Sequence, residues 1–364
     1  MGRCFLHTLC SGDVITTQRS LDTELTRISQ NCPMREILIA GLGSIGRRHL
    51  ANLRSLGWPH IRLYRTGNST QPDTELAGYP VDRDLIAALA RRPIAVIVSN
   101  PSALHVRLAL EAARADCHLL IEKPLSDDLD GIADLETEIA DRGLIALVGF
   151  QFRFNPGLRQ IRTWLRAGDI GNVVSVQAHY GEYLPEMHPW EDYRVGYAAR
   201  RDLGGGALLT LCHPFDYLRW LIGDIHDVSA IESHRDTLGL SVDTCVDVIA
   251  RLACGALAEV HLNFVERPPN HRLTIIGTEG TITWNEADSS ARRYCAASRR
   301  WETVLAPQGF ERNSMFLEEM RHFLSCLRNE EEPSCSLADG RAALDIALAA
   351  KRSIAGKATL ADAL

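Results

Sequence analysis

The stretch Glu36-Ile-Leu-Ile-Ala-Gly41-Leu-Gly43-Ser-Ile-Gly46 constrains the chain more than any other, because an apolar run passes through a glycine turn into a helical pattern. Residues 37–40 are apolar and rich in isoleucine, which suits a central parallel strand buried on both faces. Gly41 permits the tight turn, Gly43 leaves room for a pyrophosphate at the backbone, and Gly46 lets the next helix pack on the strand. A helix over 44–56 then points its first N–H groups, at Ser44 and Ile45, and its positive dipole end toward an anion. Such a glycine pattern alone often marks only a tight junction. Here strand, turn and helix come in the required order, with a second short strand at 61–64, so dinucleotide binding is the expectation.

From 35 to about 150 short apolar runs alternate with helical patterns: strands at 36–40, 61–65, 94–98, 117–122 and 144–149, helices at 44–56, 82–91, 103–115 and 128–142. That alternation predicts an α/β, doubly wound parallel sheet of the Rossmann type, with the cofactor at the carboxyl ends of the strands. The second strand runs into Tyr64-Arg65-Thr66-Gly67-Asn68-Ser69, where an NAD-preferring domain usually offers Asp or Glu to the ribose. Arg65 with Thr66 and the neighbouring hydroxyls suits a 2′-phosphate, so NADP(H) is expected and NAD(H) is the alternative. The other roles open to Arg65 are stacking on adenine or simple solvation.

The third strand ends in Ser99-Asn100-Pro101-Ser102-Ala103-Leu104-His105, a turn that opens a helix and offers Asn100, Pro101 and His105 to the cofactor edge. The fourth ends in Ile121-Glu122-Lys123-Pro124-Leu125. A lone loop lysine is usually solvated. Lys123 instead leaves a buried strand, faces the expected nicotinamide edge and precedes a proline that restricts its backbone, which makes it a candidate catalytic group and, with Glu122, a candidate cofactor contact.

A chain of 364 residues exceeds one ordinary core, so two domains are expected. The pattern changes near Phe150 to long period-two runs, giving a dinucleotide-binding domain over 34–150 and a substrate and oligomerisation domain over 151–364. Residues 1–33 lack the basic and apolar regions of a signal peptide and are expected to be a disordered extension or a product of start-site choice ahead of Met34. Phe152-Arg153-Phe154-Asn155-Pro156 opens a helix to about 166, followed by a strand at 173–180 and a polar, aromatic loop. Arg153, Tyr183, Trp190, Tyr193 and Arg194 are the candidate substrate contacts, although loop aromatics more often pack locally.

Gly204-Gly205-Gly206 leads into Thr210, His213 and Asp216, which one helix would bring to roughly one face. Asp216 would then orient His213, as a general base requires, with Thr210 and Asp216 at the substrate. Period-two runs at 226–234, 243–252, 256–265, 271–276 and 280–285 read as an antiparallel meander, so the second domain is α+β with a large, mostly antiparallel open sheet. Helices at about 313–329 and 338–354 close that domain.

A net charge of −7 with no Lys/Arg cluster on an expected face argues against nucleic acid or an anionic membrane as partner. No apolar run reaches the roughly 18 residues that a span needs. Ten cysteines without CxxC pairs, with Cys117, Cys245 and Cys254 inside apparent strands, favour reduced thiols in a cytoplasmic enzyme. The thirteen histidines show no metal-ligand spacing, so no metal is expected.

Taken together, GLGSIG, Asn100-Pro101 with His105, and Glu122-Lys123-Pro124 in that order resemble the Gfo/Idh/MocA family of NAD(P)-dependent sugar and polyol oxidoreductases, over nearly all of 35–355. The resemblance implies that Lys123 and His213 flank the reacting carbon. Against the family pattern, Thr210 stands where an Asp is expected, and His213 comes one residue early. Tyr183-Leu-Pro with Trp190-Glu-Asp192-Tyr-Arg194 is similar to a branch associated with surface-sugar biosynthesis. The family also implies a homodimer or homotetramer through the open sheet face.

The expected reaction is hydride transfer between nicotinamide and a secondary alcohol or ketone of a sugar, cyclitol or sugar derivative. His213 would exchange the hydroxyl proton, and Lys123, its pKa lowered by desolvation beside a positive ring, would polarise the oxygen. The alternatives are reduction of a non-sugar carbonyl or unsaturated ring, and a non-catalytic dinucleotide sensor, which Thr210 favours and Lys123 with His213 opposes.

Overall fold

The computed structural model describes residues 35–67, 73–235 and 237–356, so the readings on 1–33 and on Asn68 and Ser69 lie outside the described residues. The first half runs β1 (Ile37–Ala40), α1 (Ser44–Ser55), β2 (Ile61–Tyr64), β3 (Val81–Asp82), α2 (Leu85–Leu89), β4 (Ala95–Val98), α3 (His105–Arg114), β5 (His118–Glu122), α4 (Ile132–Arg142) and β6 (Ala146–Gly149). These strands form one parallel sheet in the order β3-β2-β1-β4-β5-β6. The order reverses at β1, which pairs with both β2 and β4, and the crevice beyond those carboxyl ends is where an open α/β sheet takes its ligand.

β3 is an addition to the sequence reading, which places helix from residue 82. A two-residue edge strand is too short to show a period, and the helix begins only after Asp84, whose carboxylate caps it by accepting from the Ala87 N–H at 2.7 Å.

In the second half, α5 (Pro156–Ala167) starts at Asn155, whose side-chain oxygen accepts from the N–H groups of Gly157 and Leu158. β7 (Val173–Tyr183), α6 (Leu184–Met187), α7 (Ala207–Thr210), α8 (His213–Leu221), β8 (Ile225–Glu232), β9 (Cys245–Leu252), β10 (Leu257–Asn263), β11 (Val265–Gly277), β12 (Gly280–Asn285), β13 (Ser290–Cys295) and β14 (Arg300–Val304) follow. The sheet order is β14-β13-β12-β11-β7-β10-β9-β8. It is therefore not a simple meander: β7 lies between β10 and β11, parallel to β10. Period two tells which face a residue takes, not which strand lies next to it. The hairpin of β13 and β14 was missed because its side chains are largely polar or exposed.

One face of this sheet is packed through Val176, Ala178, Val248, Val260 and Ile275. The other leaves Ile231, Ile249 and Leu257 exposed, at 65%, 49% and 56%.

The last two helices, α9 (Arg312–Leu327) and α10 (Leu337–Ala355), do not simply close the second half. α9 sinks Met320, Phe323, Leu324 and Leu327 among Ile37, Ile39, Leu63 and Ile97, and so covers one face of the first sheet. α10 lies along β8, where the Ser353 hydroxyl accepts from the Ala230 N–H, and crosses Val148 of β6 at Gly340, where a Cβ would stand 2.6 Å from a valine methyl. Leu38 and Ala40 face the other side, in a cluster that continues through Phe152 to the inner face of the second sheet. Cys117, Cys212, Cys326 and Cys335 are buried free thiols, whereas Cys254 is exposed in the turn after β9 rather than inside a strand.

Candidate active site

The dinucleotide side is built from backbone. Gly41 takes φ +105°, and a Cβ there would lie 2.4 Å from the Asn100 nitrogen, so the turn and the β4 loop close on each other as only glycine allows. At Gly46 a Cβ would meet the Gly41 carbonyl at 1.9 Å, while at Gly43 it would meet nothing within 4 Å. The helix behind this opening has no acidic residue in its first turn and no side-chain cap. Its first N–H groups and dipole thus suit a pyrophosphate, and the cradle fits a dinucleotide. Ser44 meets the ring of His188 at 3.2 Å, a contact that brings the loop after α6 across to the start of α1.

Arg65 is buried at the end of β2, with Thr66 exposed beside it. Burial and the charges of Arg83 and Arg47 lower the Arg65 pKa, so three guanidinium groups gather at the ribose end. His105 is buried behind the turns, with one ring nitrogen 2.9 Å from the Pro124 carbonyl and the other 2.7 Å from that of Asn100. It clamps the β4 and β5 loops together. Glu122 points inward and bonds His49 of α1 at 2.7 Å, so it locks the strand end on which Lys123 sits.

Lys123 reaches across to the second half, where its ammonium donates to the Thr210 carbonyl at 2.7 Å. That carbonyl is available for a sequence reason. In a continuous helix it would accept the N–H of residue 214, which is proline and has none. The same proline ends the continuity assumed from the sequence: α7 stops at Thr210 and α8 starts at His213. Burial lowers the Lys123 pKa, but Tyr197, Cys212, Glu122 and Glu182 outweigh it and hold the group above its ordinary value. In the protein alone Lys123 therefore keeps its proton, and the lowering expected of it belongs to the complex with a positive nicotinamide.

His213 has the opposite character. Burial first, then the charges of Lys123, His271 and Arg312, put its pKa well below the ordinary range, so it is neutral. Its Nε2 faces the Gln151 amide nitrogen at 3.3 Å, and the ring lies edge-on to Phe152 at 4.7 Å. The His213 Nδ1, the Gln151 carbonyl oxygen and the Thr210 hydroxyl are buried without a hydrogen-bond partner. The segment is set by Gly206 at φ +109° and by Asp243, whose carboxylate accepts the Leu208 N–H at 2.7 Å.

Asp216 does not orient His213. It forms a buried ion pair with Arg153, two bonds from Nε at 3.1 and 3.0 Å and one from a terminal nitrogen at 2.6 Å, and Arg153 also donates to the Ser334 carbonyl. With Asp339 at 3.4 Å on its other side, Arg153 ties the turn after β6 to α8 and α10, and its bonding capacity is spent inside the protein.

The aromatic loop divides. Tyr183 stacks under Arg267 at 3.9 Å, and Trp190 is half exposed against His188. Tyr193 donates to the Leu238 carbonyl at 2.9 Å and carries Arg194 on its ring, next to a cavity of about 590 Å³ lined by Arg200, Arg201 and Leu240.

Sequence reasoning missed Gln151, Tyr197, His188 and Glu319. Glu319 on α9 is 1% exposed with both oxygens unpartnered, and burial, Glu122 and Asp216 raise its pKa well above the ordinary carboxyl range. Its only signal was an acid on the apolar face of a helix. Among the described residues no group of three His, Cys, Asp or Glu gathers for a metal, and no helix is long and apolar enough to cross a membrane.

A glycine cradle at the carboxyl edge of a parallel sheet, with a lysine from that edge bonded to the segment that leads into a buried histidine, fits a dinucleotide-dependent oxidoreductase. Family profiles agree: residues 35–150 match the oxidoreductase family with NAD-binding Rossmann fold, and 158–283 match the GFO/IDH/MocA C-terminal domain. The chain belongs to the Gfo/Idh/MocA family of oxidoreductases, which use a nicotinamide cofactor. Among relatives, myo-inositol 2-dehydrogenase of Thermotoga maritima is 26% identical over 88% of this chain and 96% of its own. Levoglucosan dehydrogenase in complex with NADH and levoglucosan superposes with a TM-score of 0.77 at 21% identity, over 88% of this chain and 97% of its own. The WlbA dehydrogenase from Bordetella pertussis, in complex with NADH and UDP-GlcNAcA, gives 0.75 at 20% identity, over 88% and 95%.

Proposed function

We propose that the protein interconverts a secondary alcohol and a ketone on a sugar, cyclitol or sugar derivative, with NADP(H) preferred and NAD(H) as the alternative. The observation that carries this reading is the 2.7 Å bond from Lys123 to the Thr210 carbonyl, which puts a charged lysine and a neutral histidine at one place between the two sheets. Lys123 donates to the reacting oxygen. Neutral His213 takes the hydroxyl proton in oxidation on the ring nitrogen that carries no hydrogen, displacing the Gln151 amide from it, and returns the proton in reduction. The unpartnered oxygens of Gln151 and Thr210 are bonds that a polyol is able to make. The bound nicotinamide supplies the hydride chemistry. The substrate class draws support from relatives that act on inositol and levoglucosan.

The cofactor preference rests on the arginines near Arg65. NADPH is expected to bind more tightly than NADH, and Arg65→Asp to reverse the order, each by about tenfold, the worth of one charge-assisted bond to phosphate. A fluorescence titration with both cofactors reads this; equal affinities before and after the change would reject the phosphate role. Turnover with a panel of sugars and cyclitols tests the reaction itself. The division into 34–150 and 151–364, with α9 returning to pack on the first sheet, and pairing through the exposed face with Ile231, Ile249 and Leu257 belong to the same proposal. Light scattering that gave a monomer would exclude the pairing.

A further inference from the structure

On α5, Arg159, Arg162 and Arg166 recur at spacings of three and four and so share one face of the helix. That face, with Arg153, Arg219 and Trp220, walls a cavity of about 700 Å³ that shares no lining residue with the Gly41–Gly46 turn. Five arginines stand against the three carboxylates of Asp216, Asp224 and Asp339, which leaves the cavity positive. Arg153 is matched by Asp216 and Asp339, and Arg219 by Asp224 and Asp339. Among the described residues no carboxylate lies within salt-bridge distance of Arg159, Arg162 or Arg166; Glu318 and Glu331 act on Arg159 only from further away.

The guanidinium groups are also held in place. Arg162 lies 4.3 Å over the Trp220 ring, and its buried Nε has no hydrogen-bond partner. Arg159 lies 4.9 Å over Phe154 and donates to the Arg153 carbonyl at 3.0 Å. Burial and the charges of Arg166 and Arg153 push the Arg162 pKa down, which is the cost of gathering like charges with nothing between them.

We propose that this cavity is a binding site for a small free phosphate compound, a phosphate ester or polyphosphate, separate from the dinucleotide cleft. Planar guanidinium groups bind phosphate oxygens two at a time, and a concave site of several hundred Å³ suits a small molecule better than a flat macromolecular surface. Arg153 links the site to the reaction centre, since the same side chain holds Asp216 on the helix of His213.

The test is calorimetric titration of the full chain with pyrophosphate at low salt, with and without saturating NADH, and with citrate as a non-phosphate anion. One pyrophosphate site is expected that persists under NADH and exceeds citrate in affinity. Arg162→Ala/Arg166→Ala should weaken it by about tenfold or more, and Arg166→Gln, on the exposed helix surface, by about threefold with an unchanged melting temperature. Absence of binding, displacement of all pyrophosphate by NADH, binding insensitive to both variants, or tighter citrate would each overturn the proposal. Because the decisive reading is the response to the Arg162 and Arg166 variants, the outcome does not depend on whether NADH itself binds.

Discussion

The two walls of the cleft are made differently. The dinucleotide wall presents main-chain groups shaped by glycines, with the first turn of α1 uncapped and Gly43 open. The opposite wall presents side chains, His213, Gln151 and Thr210, with three of their polar atoms buried and unpartnered. A wall made of backbone is tolerant of neighbouring side chains and intolerant of a Cβ in the wrong place. A wall made of side chains depends on each residue and on whatever holds it.

The largest effect should follow from removing the group that spans the walls. Lys123→Ala is expected to lower kcat by about a hundred- to ten-thousand-fold, while the NADH Kd stays within about twofold. Single-turnover kinetics beside a cofactor titration separates the two, and lost cofactor binding would make Lys123 a structural residue instead. Pro214→Ala restores the N–H that competes with Lys123 for the Thr210 carbonyl. A fall in kcat of about tenfold is expected, the worth of one hydrogen bond, with the fold retained; wild-type kcat would show that the freed carbonyl does not position Lys123.

Beneath both walls, Glu319 brings a carboxyl toward Glu122 on one side and Asp216 on the other. Its folded-state pKa is raised, so its contribution to stability is fully present below the ordinary glutamate pKa and is lost as pH rises through the folded value. Glu319→Met should therefore stabilise by about 1–3 kcal/mol at alkaline pH, where the buried unpaired acid costs most, and by less near pH 4. Denaturant melts at the two pH values decide it, and an equal or opposite difference would mean that Glu319 has a partner. The smallest change tests the backbone wall. Ser44→Ala removes the contact to His188 but no main-chain donor, and NADH affinity should move by less than about threefold.

What the sequence made legible follows the same division. Gly41 and Gly46 announce themselves because only glycine fits their positions, Gly43 completes the pattern at the open side of the turn, and Lys123 is placed by the end of a strand whose neighbours are known from chain order. The partners of Arg153 and Asp216 were not legible, because they lie far apart in the chain and meet only after α8 is cut off from α7 by Pro214. Gln151 and Tyr197 carry no local pattern at all; their roles come from where β6 and the loop before Gly204 arrive in space. The insertion of β7 beside β10 was hidden for a related reason, since alternation specifies a face and leaves the neighbour open.

The placement of α9 bears on how the protein is made. Ile37, Ile39 and Leu63 leave the ribosome well before Phe323 and Leu327, which help to cover them. The glycine cradle and α1 emerge early, but part of the sheet face they share stays uncovered until α9 has been made. A nascent chain halted at residue 150 would carry an apolar sheet face in need of a chaperone, and a genetic cut between the two halves would separate that face from its cover.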